Sequence, residues 1–288
     1  MRTLGSPRLK TFLENGWEDQ IITNKVIRGD PGMSVYSFPK LVQYVARLAY
    51  SNRDHVLLFR GQSQDYTNQL GHTTIHPKIF RPRQQGELLP WMEVVQRRYR
   101  RLRRAEQFLV REWRNANLPD LRRIERYKNL RWTILQHYEV CPTPLLDVTH
   151  SLRVAVSFAA ERASNHSVML YVFAVPQISG AITASAEAEL QILRLSSICP
   201  PTATRPHFQE GYLLGNYPDI QSPEEKEQYE LYEVDFGRRL LCKFRLNLDH
   251  FWRDDFPQVS HDALYPDARR DPFLEISERI MNQLGPEN

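Results

Sequence analysis

Four short stretches carry residues whose chemistry exceeds what packing alone requires. Arg60 ends the apolar run His55-Val56-Leu57-Leu58-Phe59 and is followed by Gly61 and Gln62. A guanidinium at the end of a buried strand is costly unless its charge is met. An internal carboxylate, Asp147 or Glu106, meets it in one reading. A ligand phosphate or carboxylate, gripped by two hydrogen bonds, meets it in the other. Gly61 admits the close approach of a ligand or a second backbone. His137 is either a core histidine that pins the Pro142 loop or an acid–base and ligand-binding group beside Arg60. Asp147 and Thr149 stand where a short apolar segment hands over to a helix start, whose free N–H groups favour anions. Gln209 and Glu210 precede Gly211. Glu210 supplies a late carboxylate, or is a loop residue in water.

A further signal is charge. Gln96 to Arg104 reads QRRYRRLRR and holds Arg97, Arg98, Arg100, Arg101 and Arg104 together with Arg103. Leu102, Ala105, Leu109 and Trp113 recur at spacings of three and four, so the arginines fall largely on the other faces of a helix. Such a run is a solvated helix face or a phosphate-binding surface for nucleic acid. Cys141, Cys199 and Cys242 are odd in number and widely spaced, and form neither a disulfide framework nor a metal pattern. His72 and His76 lack a third clear ligand, so no metal is expected.

Periodicity supplies the elements that must position these groups. Leu41, Tyr44, Val45, Leu48 and Ala49 define one apolar helical face after Ser37-Phe38-Pro39. Residues 55–59 read as a buried strand with Arg60-Gly61 at its end. A long helix is expected from about Leu89 to Asn115 and a second from about Leu118 to Tyr138. Val168 to Val175, Gln191 to Ser197, His207 to Leu214 and Leu240 to Leu246 read as strands or strand entries. Phe273 to Leu284 reads as an amphipathic helix, and Glu224 to Glu227 as a solvated charged run.

Several of these stretches together resemble the FRG domain family, named for a Phe-Arg-Gly motif. Here that motif is Phe59-Arg60-Gly61, followed by Gln62. A second signature is Gln136-His137-Tyr138, then Pro142 to Asp147, Thr149, and a small-residue helix with Phe158-Ala159. Gln209-Glu210-Gly211 and Leu264-Tyr265-Pro266-Asp267 fit two looser signatures. The family often has glycine after the Gln-His-Tyr triplet, where this chain has Glu139.

By analogy, the order of motifs looks like that of the ADP-ribosyltransferase fold. The resemblance implies an α+β chain with a central split or strongly curved sheet flanked by helices. It implies one domain over 1–288, with its core at about 20–285 and a helical insertion at about 88–138. It implies NAD as cofactor, held by Arg60, Gly61, Gln62, Asp147 and Thr149. Glu210, Gln209 and His137 take the catalytic positions, and a nucleic acid or protein is the acceptor. An ADP-ribosyltransferase or NAD glycohydrolase in bacterial or phage defence is the activity so implied. A non-enzymatic sensing module, or nucleic-acid binding by Arg97–Arg104, is the rival.

Composition sets the outer bounds. The chain has 288 residues, 41% hydrophobic and 25% charged, with a net charge of +4. These values suit a globular protein with a sizeable core. No apolar run of about 18 residues suggests a membrane span, and the N-terminal stretch lacks a secretory apolar core. A cytoplasmic protein is expected.

Overall fold

The computed structural model describes residues 2–4, 9–12, 21–82, 92–161, 163, 166–229, 235–254, 256–267, 271 and 273–286. In chain order, the first elements are β1 (Arg2–Leu4), β2 (Leu9–Thr11), β3 (Ile21–Ile22), α1 (Asn24–Gly29), β4 (Met33–Val35), α2 (Phe38–Ser51) and β5 (Val56–Gln62). Then come α3 (Met92–Asn115), α4 (Leu121–Arg126), α5 (Lys128–His137), β6 (Leu146–Thr149), α6 (Leu152–Glu161) and β7 (Ser167–Val175). They are followed by β8 (Ile182–Ser185), β9 (Leu190–Arg194), α7 (Leu195–Ile198), α8 (Thr204–Phe208) and β10 (Gly211–Asn216). The last are α9 (Pro223–Tyr229), β11 (Leu240–Asn247), α10 (His261–Leu264) and α11 (Phe273–Leu284). The class is α+β, with strands that pair mostly antiparallel and helices that flank them.

The chain divides into two compact units. The first comprises Met1–Ile75, Val148–Ile178 and Val234–Leu264; the second comprises His76–Asp147, Ser179–Glu233 and Tyr265–Asn288. The division falls inside β6.

In the first unit, β7 is the central strand. Its sequence SVMLYVFAV is rich in the β-branched and aromatic residues that fill a pleated surface, and every residue after Ser167 is buried. It pairs antiparallel with β5 on one side and β11 on the other. β11 pairs parallel with β4, and β5 meets β6 through Phe59 and Thr149. Leu41 and Leu48 carry the buried stripe of α2, and Tyr44 of that helix stacks on Phe244 of β11.

The second unit is built on helices. Val95, Tyr99, Leu102, Ala105, Leu109 and Trp113 form the buried face of α3 and pack with α5 and α11 in one apolar core. The Trp113 and Phe273 rings lie 5.3 Å apart. β9 pairs antiparallel with both β8 and β10.

Four expectations change here. The helix expected from Leu118 to Tyr138 is two helices, because Tyr127 is extended (φ −105°, ψ 106°). Arg131 Nη1 supplies what the break removes, donating to the freed carbonyls of Ile124 (2.7 Å) and Glu125 (2.9 Å). The expected strand at Gln191 to Ser197 stops at Arg194, and Leu195–Ile198 is a helical turn. The strand entry at His207 is instead the end of α8, and β10 begins at Gly211. Within the charged run, Lys226 is fully buried, its ammonium 5.2 Å from the centre of the Phe80 ring.

Candidate functional site

The alternation of β5 divides the labour of Phe59-Arg60-Gly61 between two faces of the first unit's sheet. Phe59 and Gly61 face α6. Phe59 is buried, and a Cβ on Gly61 would overlap the carbonyl oxygen of Ala155 and lie 2.9 Å from Ala159 Cβ. The close approach anticipated at Gly61 is therefore met by a second backbone. The glycine and the small-residue helix form one packing device. Thr149 is buried and in register with Phe59. Its Oγ1 accepts from Ser151 N–H (3.0 Å), and Ser151 Oγ accepts from Val154 N–H (3.5 Å) in the first turn of α6.

Arg60 points to the opposite face. It is half-buried and lies in direct register with Tyr171 of β7, which is itself in register with Lys243 of β11. Gln62, Met169 and Arg245 form the next row. Lys243 has a side chain only 1% exposed and donates to Asp65 Oδ2 (2.9 Å), Thr73 Oγ1 (2.6 Å) and the Arg28 carbonyl (3.1 Å). Those are the three bonds an ammonium can donate. Tyr171 O–H donates to Asp65 Oδ1 (2.7 Å). Burial first, and the Asp65 charge second, hold that phenol well above its ordinary range, so it stays a neutral donor. Thr73 Oγ1 lies 2.9 and 3.0 Å from the two Asp65 oxygens. This network pins the segment after the Phe-Arg-Gly motif to the sheet. Sequence reading missed it. The one available signal was a lysine inside the apolar strand LLCKFRL.

The second unit holds the other motif residues. Gln136 Nε2 donates to Asp147 Oδ2 (2.6 Å), and its Oε1 accepts from Thr143 Oγ1 (2.6 Å). The first residue of Gln-His-Tyr is thus wired to two residues of Pro142–Asp147. Glu106, a proposed partner of Arg60, is paired with Arg131 (2.9 Å). His137 is buried, its ring edge-on to Tyr138 at 5.3 Å. Burial, then the positive charge of Arg205, hold its pKa well below 6.5, so the ring is neutral. Among the described residues its Nε2 finds no hydrogen-bond partner.

Tyr138 O–H lies 2.9 Å from both oxygens of Asp271, a fully buried carboxylate that also accepts from Arg205 N–H (3.0 Å) and Phe273 N–H (3.2 Å). Burial and the neighbouring Asp271 raise the Tyr138 phenol far above its usual range. The last residue of Gln-His-Tyr therefore ties α5 to the start of α11.

The family glycine position also acquires a reason. Glu139 has φ +56°. Its N–H donates to Gln136 O (3.0 Å), and Val140 N–H donates to Leu135 O (2.9 Å), the bond pair that closes a helix with a left-handed residue. Glycine takes that conformation without strain. Glu139→Gly is expected to stabilise the protein by about 1 kcal/mol, less the weak ion pair from Arg205 Nη2 (3.3 Å). A rise in melting temperature checks this, and a fall would refute it.

Gln209 is buried and closes α8, its N–H donating to Arg205 O (3.2 Å). Glu210 is exposed at φ +44° in the turn before β10. A Cβ on Gly211 would overlap Leu195 Cδ1. Arg60, Gly61, Gln62 and Thr149 thus belong to the first unit, and His137, Asp147, Gln209 and Glu210 to the second.

The basic run divides likewise. Arg98 donates to the carbonyls of Ile79 (2.9 Å) and Arg81 (2.6 Å). Arg101 donates to those of Leu284 (3.3 Å) and Gly285 (2.7 Å) at the end of α11. These two arginines are structural tethers. Arg97, Arg100 and Arg104 are exposed. All three cysteines are free and buried, and burial raises the Cys199 and Cys242 thiols to about 12.

Among the described residues, no cluster of three or more His, Cys, Asp or Glu is arranged to hold a metal, and no helix is long and apolar enough to cross a membrane. No curated protein and no solved structure compared with the chain matches it. Residues 55–167, from the foot of β5 through α6 to the first residue of β7, match the FRG domain model, and the chain therefore carries an FRG domain over those residues.

Proposed function

We propose that this protein binds a phosphate-bearing nucleotide, NAD by preference, with the Arg60 guanidinium on its phosphate. The observation that carries the reading is the setting of Arg60. It is half-buried on the polar face of the sheet, in register with Tyr171 and Lys243. A planar guanidinium so placed suits bidentate capture of phosphate. Gly61, Gln62, Asp147 and Thr149 order the binding motifs in this reading.

ADP-ribosyl transfer or NAD hydrolysis extends the proposal. Cleaving the nicotinamide N-glycosidic bond builds positive charge on the ribose, which a carboxylate stabilises. Glu210 is the exposed carboxylate assigned that role, with Gln209 as its neighbour. His137 is buried and neutral, which argues for a packing role over acid–base work. Consuming NAD or labelling a target with ADP-ribose is the chemistry by which such a protein would act as a toxin or in phage defence.

The test is NAD binding by calorimetry, together with nicotinamide release, on the full chain. Arg60→Ala is expected to weaken binding by about a hundredfold, the worth of two charge-assisted hydrogen bonds, with little change in melting temperature. Glu210→Gln is expected to keep binding and lose nicotinamide release. Wild-type protein that neither binds nor cleaves NAD, with Arg60→Ala melting early, would make Arg60 a structural residue of a non-enzymatic module.

A further inference from the structure

We propose that the exposed face of α3 binds the sugar–phosphate backbone of a nucleic-acid duplex, independently of sequence and of any ligand at Arg60. The face consists of Arg97, Arg100, Arg104, Arg111 and Arg114, all exposed. With 3.6 residues per turn, their spacings of three, four, seven and three keep them within an arc of about 100°. The stripe runs about 25 Å along the helix at ~1.5 Å per residue. It is wider in extent than the run of adjacent arginines in the sequence, and it excludes Arg98 and Arg101, which serve as tethers.

A solvated helix face ordinarily alternates its charges so that residues three or four apart form ion pairs. This one does not. Of the three α3 carboxylates, Glu93 is exposed one turn before Arg97 and forms no ion pair among the described residues, Glu106 pairs with Arg131 (2.9 Å), and Glu112 is buried with Arg279 (3.1 Å) and Gln283 (2.9 Å). Arg114 meets Glu125 (2.6 Å) and Arg111 lies 4.0 Å from Glu112. Among the described residues, Arg97, Arg100 and Arg104 have no carboxylate within ion-pair distance. Arg104 and Arg111 also lie over the Phe108 ring, at 5.9 and 5.0 Å from its centre, which orders both guanidinium groups. All eight basic residues of α3 are arginine, the side chain whose planar fork fits phosphate.

The same helix argues against other polyanions. Single strands are held by exposed aromatic rings on which bases stack. Tyr99 and Trp113 are buried, and Phe108 is covered by its two arginines. A membrane-surface helix needs a free apolar face to insert. The apolar face of α3 is already spent in the core of the second unit.

Fluorescence anisotropy of the full chain with labelled 20-base-pair duplexes of DNA and of RNA, across 50–200 mM salt, tests the proposal. Binding is expected to fall steeply with salt and to ignore sequence. The triple variant Arg97→Ala/Arg100→Ala/Arg104→Ala is expected to bind at least about tenfold more weakly, with the log–log salt slope reduced by roughly three, about 0.9 for each lost phosphate contact. Its melting temperature should match the wild type, since all three side chains are exposed. No duplex binding at 50 mM salt, a salt slope unchanged in the variant, or binding confined to single strands, to vesicles of anionic phospholipid or to polyglutamate would each overturn it.

Discussion

Gly61→Ala is expected to destabilise the protein by about 3 kcal/mol or more. The added methyl would collide with the carbonyl oxygen of Ala155, a backbone atom inside α6, and would come within 2.9 Å of Ala159 Cβ. A flexible side chain could rotate away, but a carbonyl in a hydrogen-bonded helix cannot. Relief requires α6 to withdraw from β5, and α6 buries Val154, Ala155, Val156, Ser157 and Ala159. In a chain of this size each kcal/mol lowers the melting temperature by roughly 2–4 °C, so a drop of at least about 6 °C is predicted. Trimming Ala159 to glycine in the same chain should not restore it, because the collision with the Ala155 oxygen remains. A melting temperature within 2 °C of wild type would mean that the β5–α6 contact is looser than described.

Lys243→Met is expected to cost about 3–5 kcal/mol. The methionine fits the space, but Asp65, whose side chain is 21% exposed, would keep its negative charge with Tyr171 and Thr73 left to meet it among the described residues. Removing one member of a buried pair is more damaging than removing the charge altogether. Lys243→Met/Asp65→Asn should therefore recover a large part of the loss, since asparagine still accepts from Tyr171 and carries no charge. Denaturant unfolding of both single variants and the double gives the coupling directly. Additive losses would show that Lys243 and Asp65 act separately, against the 2.9 Å ion pair.

The elements legible in the sequence were those marked by an unbroken local pattern. Phe273–Leu284 was readable because its apolar period runs its full length, and β7 because eight apolar residues stand together. The motif residues were legible as a set through their family resemblance, but their roles were not. Gly61 read as a place of close approach for a ligand or a second backbone, and it is the backbone of α6 that comes close. Tyr138 serves Asp271, a residue 133 positions away, and Lys243 serves Asp65, 178 positions away. Pairings at that range leave no periodic trace, so each partner reads as an ordinary polar residue in its own neighbourhood. The break at Tyr127 escaped for a related reason. The groups that satisfy it come from the side chain of Arg131, and no proline or glycine stands between Leu121 and Tyr138 to mark the position. Glu139 carried a real signal, since a glycine expected after a helix marks a left-handed residue.

The three-segment construction of the first unit has a consequence during synthesis. β7 is complete once Val175 has been made, yet its partner on one edge, β11, ends 72 residues later at Asn247. At ~5–20 residues per second, that edge stays open for roughly 4–14 s on the ribosome. It is a long, apolar strand with unpaired backbone groups, the kind of template on which nascent chains aggregate. Asp65 and Tyr171 wait equally long for the lysine that completes their cluster. Yield in a cell is thus governed by how well that edge is shielded before β11 emerges, and slowing translation between Val175 and Leu240 should lower it.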